Sequence, residues 1–299
     1  DLGRLQRLSA SDREAALVFL SLHPERHVHL RGLFWRLGTD LPEDSGLPLG
    51  WWVGEELRGV FLHGPVVLIA CDDAAGLRAF AERVGTYWYE MPVAQLMSPR
   101  LMAEAFLATL ADYFGGLPTL NHLRHRMPVM RLRRGELIEP RSRSTRGAFE
   151  GPPIRSAVVS EEQKLFEIAR EVTIEDLKLD PLDFEPENFV LALQHRIRNG
   201  HELVCTEGDT IVFRAALSAA TPEAVLLEGV FVPPEHRGKG YGKGGMYALC
   251  KKLLQHHESL VLLVGEDNDR ARTLYERLGF QTFDEYQVAF FNHEVHGRG

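Results

Sequence analysis

Cysteine is scarce in this chain. Its 299 residues hold three, Cys71, Cys205 and Cys250, and no Cys-x-x-Cys pair. Neither a disulfide framework nor a thiolate metal site is therefore supported. No apolar run reaches membrane-spanning length, the longest candidate, Val66 to Cys71, being strand-sized. The first residues, Asp1-Leu2-Gly3-Arg4, lack the apolar core of a signal peptide, so a cytoplasmic protein without a membrane partner is expected. A basic surplus is missing too: 34 Lys and Arg stand against 42 Asp and Glu, a net charge of −8. That balance argues against nucleic acid as the main partner, because phosphate backbones are met by a basic face that displaces counterions. With 44% hydrophobic and 25% charged residues, the composition excludes disorder, collagen-like repeats and coiled-coil rods.

The length suggests two domains, and the charge is divided between them unevenly. Residues 1–150 balance at 18 Arg and 18 acids, whereas 151–299 carry 16 bases against 24 acids and every lysine, at 164, 178, 239, 243, 251 and 252. Within the second half, 161–187 hold ten acids and three bases. The arginine-rich stretch from Arg131 to Pro153, with Gly, Ser and Pro but little apolar periodicity, reads as an inter-domain connection. The expected division is residues 1–132, a linker at 133–152, and 153–299. After the linker, strand and helix periodicities give the order β-α-α-β-β-β-α-β-α-β, ending in a strand at Tyr286 to Phe291, which is a mixed sheet flanked by helices.

The chemistry concentrates after the apolar strand LLEGVFV. There Pro233-Pro234-Glu235-His236 leads into Arg237-Gly238-Lys239-Gly240-Tyr241-Gly242-Lys243 and an apolar helix. Glycines let a backbone approach an anion closely, a helix start adds the positive end of its dipole, and Arg237, Lys239 and Lys243 add charge, so a polyphosphate ligand is expected. Gly240-x-Gly242-x-x-Gly245 formally satisfies a dinucleotide fingerprint, but Pro-Pro-Glu-His-Arg separates it from the strand. A P-loop fails because Gly244, not Ser or Thr, follows Lys243. A helix that merely begins with glycines is the bland alternative. Its four glycines within 238–244 would cost several kcal/mol, at about 1 kcal/mol each, without a compensating ligand.

Arg-x-x-Gly-x-Gly between a strand and a helix resembles the GNAT superfamily of acetyl-coenzyme A-dependent N-acetyltransferases. The resemblance rests on VFVPPEHRGKGYGKGGMYAL (230–249) and on NDRARTLYERLGF (268–280), in the family's order and spacing, and covers 154 to about 292. It implies that backbone groups of Val230, Phe231 and Val232, where the family's strand splays, bond the pantetheine arm and polarise the acetyl carbonyl. It likewise implies that the amides of Gly238, Lys239, Gly240, Tyr241, Gly242 and Lys243 hold the pyrophosphate and that Asn268 reaches the coenzyme. Tyr275 matches the tyrosine that protonates the leaving thiolate; the alternative is an aromatic packed on an amphipathic helix. Physical reasoning agrees that a developing oxyanion needs fixed donors and a leaving thiolate an acid.

The acceptor amine needs a base, and Glu228 is the candidate. Period-two alternation places it on the face of Val230 and Val232, and a carboxylate in an apolar strand is costly unless it is used or paired with a buried Arg or Lys. His236 is a weaker candidate beside the phosphates. The histidine pairs and triplets (23, 27 and 29; 122 and 125; 256 and 257; 293 and 296) are not completed by other ligands, so no metal is expected.

The first half follows the same plan of elements, as a degenerate GNAT-like repeat. Asp72-Asp73-Ala74-Ala75-Gly76 stands where the anion cradle would be, without its arginine or glycine series, so this half is not expected to bind coenzyme A. The expected fold is thus α/β, two GNAT-like domains, each a mixed, mostly antiparallel sheet flanked by helices. The expected activity is acetyl transfer from acetyl-coenzyme A to a primary amine by direct transfer in a ternary complex. The acidic 161–187 stretch favours a cationic small molecule or a lysine side chain, or else is an ordinary solvated face. A coenzyme-binding sensor without turnover is the alternative function, and no motif decides between a monomer and a homodimer.

Overall fold

The computed structural model describes residues 3–39, 41, 46–116, 120–140, 153–178, 180–183 and 186–291. The chain divides into two compact units, Asp1–Pro128 with Asp284–Gly299, and Val129–Phe283.

The first unit begins with β1 (Arg4–Arg7), α1 (Arg13–Ser21) and α2 (Val28–Leu37), followed by β2 (Leu47–Val53), β3 (Glu56–His63) and β4 (Val66–Cys71). It continues through α3 (Ala74–Thr86), β5 (Gln95–Pro99) and α4 (Arg100–Phe114). Strands β1 to β4 pair antiparallel in sequence order, and β4 lies parallel to β5. The sheet is completed by the end of the chain's last strand, β12 (Gln281–Phe291), whose Tyr286 to Phe290 run antiparallel to β5. Alternation along the strands buries Phe61 and Ile69 with Phe80 and Phe106 on the α3 and α4 face. The other face buries Leu62 and Leu68 with Leu20 and Phe34 of α1 and α2. Phe291 belongs to the α3 and α4 core and Tyr286 donates its hydroxyl to the Arg26 carbonyl, so the second part of β12 is built into this unit.

The second unit begins with the end of β6 (Leu120–Arg133) and continues through β7 (Arg155–Ser156), α5 (Glu162–Leu177) and α6 (Pro186–Arg198). After these come β8 (Glu202–Glu207), β9 (Thr210–Ala220), β10 (Ala224–Phe231), α7 (Tyr241–Leu253), β11 (Ser259–Leu263) and α8 (Asp269–Arg277). β7, β8, β9 and β10 pair antiparallel, β10 runs parallel to β11, and β11 pairs antiparallel with Val129 to Arg133. Leu249, Cys250, Tyr275 and Leu278 of α7 and α8 pack with Met130, Leu132, Phe213 and Leu260 on one face. Leu165, Leu193 and Ile197 of α5 and α6 cover Val204 and Ile211 on the other. Gly200 closes α6: at φ +70° it lets the His201 amide reach back to the Arg196 carbonyl at 2.8 Å.

The units are divided differently from the expectation of 1–132 and 153–299. Val129 to Arg133 is a core strand of the second unit, with Met130 and Leu132 fully buried. The following residues are tied down as well, by an Arg134 amide to Glu258 carbonyl bond of 2.7 Å and an Ile138 amide to Leu278 carbonyl bond of 3.0 Å. Of the expected linker, 141–152 lie outside the described residues. The first strand of the expected order after the linker is short, Arg155–Ser156. The Glu161 carboxylate draws the Val158 amide, at 2.9 Å, and the Arg155 guanidinium into a 3-10 turn.

Candidate functional site

Two strands that start together and then part create the site. β10 follows β11 from Ala224 to Leu227, paired with Ser259 to Leu262, and then leaves it. Just beyond the parting β10 carries a bulge against β9: Glu228 stands opposite Ala216 but Phe231 opposite Arg214, so three steps on β10 match two on β9. Gly229 absorbs the extra residue at φ +55°, a conformation that disfavours side chains. Between the end of β10, the start of α7 and α8 lies a cavity of about 480 Å³. Val230, Phe231, Val232, Arg237, Gly238 and Gly240 line it from the strand and loop, Tyr241, Gly242 and Lys243 from α7, and Asn268 and Tyr275 from α8. Of the expected site residues, Lys239 and Glu228 are not among the lining groups.

The glycines of the loop serve different ends. Gly238 and Gly240 have φ of +79° and +94°, and a Cβ on either would meet open space, so the turn itself selects them. Gly240 is the N-cap of α7 and no side chain caps the helix. The first amides of α7 thus have no intrahelical acceptor and face the cavity mouth with the positive end of the dipole. Gly245, the last glycine of the formal dinucleotide pattern, is instead a packing residue whose Cβ would lie 2.4 Å from the Phe213 ring. Gly245→Ala is accordingly expected to destabilise the second unit by about 1–3 kcal/mol in chemical denaturation, as overpacking of a filled core does.

Arg237 is not a free phosphate ligand. Its Nε donates to the Val232 carbonyl at 3.0 Å, its Nη2 meets Glu175 of α5 at 2.6 Å, and its guanidinium lies 5.1 Å from the Phe231 ring centroid. It braces the loop against the strand it leaves. Tyr241 contributes its backbone at the cavity, while its hydroxyl bonds the Glu207 carboxylate at the end of β8. Asn268 is the N-cap of α8, its Oδ1 accepting from the Ala271 amide at 3.1 Å, and its side chain also bonds Asp176 of α5. Asp176 has its carboxyl raised by burial and then by neighbouring Glu175. Tyr275 is 6% exposed, and burial, with Asp176 and Cys250 nearby, pushes its phenol well above the usual range. It therefore keeps its proton at neutral pH.

The structure corrects the face assigned to Glu228. Val230 and Val232 pack toward the α7 and α8 core, whereas Glu228 pairs with Ala216 and Phe231 with Arg214, on the side of α5 and α6. The bulge breaks the period-two alternation between residues 228 and 230, so Glu228 lies on the opposite face from the two valines. It is 43% exposed and meets Arg196 Nη1 of α6 at 3.4 Å, the pairing foreseen as the alternative to a free base. Arg196 also grips Glu202, as does Arg214, and these three residues were missed. Burial alone would raise the Glu202 carboxyl, but Arg214 first and Arg196 second more than offset it and hold it below its usual value. The signal was available in principle: Glu202 and Arg214 are charged positions in apolar strands, like Glu228. Among the described residues no three His, Cys, Asp or Glu gather as a metal site and no helix is long and apolar enough to cross a membrane. His293 and His296 lie outside the described residues.

A splayed strand pair, an uncapped glycine-led helix and a buried tyrosine meet around one cavity. Residues 163–280 match the model of the acetyltransferase (GNAT) family. This segment is a GNAT-family domain, in a chain with the tandem GNAT fold. A tandem GNAT protein from the clavulanic acid biosynthesis pathway superposes with a TM-score of 0.57 at 14% identity, over 98% of this chain and 100% of that one. A GCN5-related N-acetyltransferase from Sphaerobacter thermophilus gives 0.59 at 16% identity, over 96% and 94%. A Drosophila protein gives 0.64 at 14% identity, over 96% and 98%. A comparison with curated protein sequences finds no match.

Proposed function

We propose that the second unit transfers an acetyl group from acetyl-coenzyme A to a primary amine within a ternary complex. The observation that carries this reading is the convergence on one cavity of the uncapped α7 N-terminus, the backbone of Val230, Phe231 and Val232, and the buried phenol of Tyr275. The α7 amides and the backbone from Gly238 to Lys243 suit a pyrophosphate, with Lys239 and Lys243 supplying charge. The strand backbone freed from β11 suits the amide-bearing pantetheine arm and the thioester carbonyl. Glu228, outside the cavity and paired with Arg196, takes the proton of an amine attacking from the α5 and α6 side of the strand as the C–N bond forms, and Tyr275 gives its proton to the sulfur as the C–S bond breaks, being reprotonated from solvent.

The amine's charge is less constrained than the sequence suggests. Glu161, Asp180 and Glu175 of the acidic stretch are paired with Arg155, Arg170 and Arg237, and Glu162 accepts from Gln194. Glu228 is likewise shared with Arg196, so a cationic small molecule or lysine remains one acceptor class among the primary amines. The first unit takes no part in holding coenzyme A on this reading. Asp73 closes the N-terminus of α3, its Oδ1 accepting from the Ala75 and Gly76 amides at 2.8 and 3.2 Å, and Trp51 fills the space beside Gly76. An anion there would meet a carboxylate already in place. We further place the protein in the cytoplasm.

Thermal melting with acetyl-coenzyme A tests the reading. At a hundred times the dissociation constant the ligand should add about 2.7 kcal/mol, and Gly240→Glu or Gly242→Glu should abolish the rise. No rise at millimolar ligand would sink it. The ion pair already made by Glu228 favours the second reading, a coenzyme-binding protein without turnover. Tyr275→Phe decides between them: an enzyme keeps its coenzyme affinity and loses about 100-fold or more in thiol release with an amine, whereas a sensor releases none to begin with.

A further inference from the structure

The most deeply buried charges of the second unit sit directly behind the splayed strand. Glu202 is fully buried and Arg214 is 3% exposed, and they form a forked pair, Nε to Oε2 at 2.8 Å and Nη2 to Oε1 at 2.7 Å. Arg214 has one amino group left, Nη1, and it donates to the carbonyl of Gly229 at 3.1 Å. The same Glu202 Oε1 accepts from Arg196 Nε at 2.7 Å, and Arg196 Nη1 continues to Glu228. Two arginines and two glutamates thus form one neutral chain from the sheet interior to the candidate base.

Such a cluster is poorly explained by stability, since buried ion pairs commonly add little over apolar residues of the same volume. Its geometry explains it better. The sequence LLEGVFV can pair with β9 in a regular ladder or with one residue extra, and a one-residue difference turns every following side chain to the other face. The Gly229 carbonyl faces Arg214 in the bulged register, and a Cβ at 229 would lie 2.0 Å from Nη1. Planarity and a fixed fork allow an arginine, held on one edge by a carboxylate, to aim its remaining donor at one carbonyl.

We propose that Arg214, anchored by Glu202, is a positioning residue for acyl transfer. By fixing the bulge at Gly229 it sets the direction in which the backbone of Val230 to Val232 meets the thioester, while Arg196 on the same carboxylate sets Glu228 on the acceptor side. This rests on the acetyl-transfer reading for its functional half; the structural half does not.

Two readouts separate them. A crystal structure of Arg214→Met should show the bulge lost or moved along β10, and a bulge still at Gly229 overturns the proposal whether or not any ligand binds. The second readout is isotope-edited infrared spectroscopy of acetyl-coenzyme A carrying a 13C-labelled thioester carbonyl. Bound to the unsubstituted protein, the carbonyl band should move to lower wavenumber than in solution. Arg214→Met should lose most of that shift while binding coenzyme A without its acetyl group within about threefold of the original affinity. Arg214→Lys, which keeps the charge but not the fork, should recover only part of the shift. A full shift in Arg214→Met, or equal loss of affinity for coenzyme A and acetyl-coenzyme A, overturns positioning in favour of a merely structural role. If the unsubstituted protein fails to bind acetyl-coenzyme A, the acetyl-transfer reading and the functional half fall together, and the crystal structure still judges the bulge. Should Arg214→Met not fold, Glu202→Gln, which keeps the volume and one acceptor, carries both measurements.

Discussion

A fragment of residues 153–299 is expected neither to melt cooperatively nor to bind acetyl-coenzyme A, although it contains every candidate site residue and the whole family match. It lacks Val129 to Arg133, which pair with all five residues of β11. Their removal would leave Leu260, Val261 and Leu262 on an open edge, an invitation to aggregate. It would also empty the places of Met130 and Leu132, both fully buried. Truncating one such side chain to alanine costs about 2–5 kcal/mol, and losing two with their ladder consumes most of a domain's stability of roughly 5–15 kcal/mol. The fragment would also carry Tyr286 to Phe291 without β5, against which they pair. Residues 129–283, by contrast, retain the complete second core. They should show a cooperative circular-dichroism melt and a melting rise with acetyl-coenzyme A. A cooperative melt of 153–299 within a few degrees of the full chain would refute the assignment of β6.

The same strand shows what the sequence did and did not reveal. The alternation of Met130 and Leu132 with Arg131 and Arg133 is present in the sequence, but its arginines read as a solvated linker. In the fold one of them, Arg131, lies 4.9 Å from the Phe283 ring centroid, so its planar cation covers apolar surface. Local motifs were legible because they are local. The glycine series and its helix follow from short-range spacing, and Asn268 and Tyr275 were singled out by the resemblance of a short contiguous segment, although the capping role of Asn268 was not foreseen. What was hidden depends on strand register. The face of Glu228 turned on one extra residue at Gly229, and the Glu202 and Arg214 pair emerges only once β8, β9 and β10 are laid side by side. Gly229 was visible as a glycine within an apolar strand, which is a bulge signal, but the partner that fixes the bulge was not.

Acid is expected to destabilise the first unit before the second. Two of its histidines are buried, His27 at 5% and His63 at 0% exposure. Burial, helped by Arg26 and His23, draws His27 down to about 3. Burial, helped by Arg83 and only partly opposed by the backbone of Met91, draws His63 down to about 4. In the unfolded chain both titrate near the ordinary value of about 6.5. Above that pH neither state binds the proton, and stability is insensitive to these groups. Between about 6.5 and 4 the unfolded chain takes up protons that the folded one refuses, so stability falls with pH by up to about 1.4 kcal/mol per unit for each histidine. Over that window the two sum to several kcal/mol, comparable with the whole stability of a domain. In the second unit the depressed carboxyl of Glu202 contributes stability above its unfolded value, lost only as pH falls below it toward the lower folded value. All four tryptophans, Trp35, Trp51, Trp52 and Trp88, lie in the first unit, so their emission reports its unfolding separately. Urea titrations followed by tryptophan fluorescence should show the midpoint unchanged between pH 8 and 7 and falling steeply from 6.5 to 4.5. His63→Phe, whose ring can keep the edge contact with Phe80 at 6.2 Å between centroids, should flatten part of that fall. A midpoint that stays level down to pH 4.5 would show that both rings accept protons in the folded state, contrary to their burial.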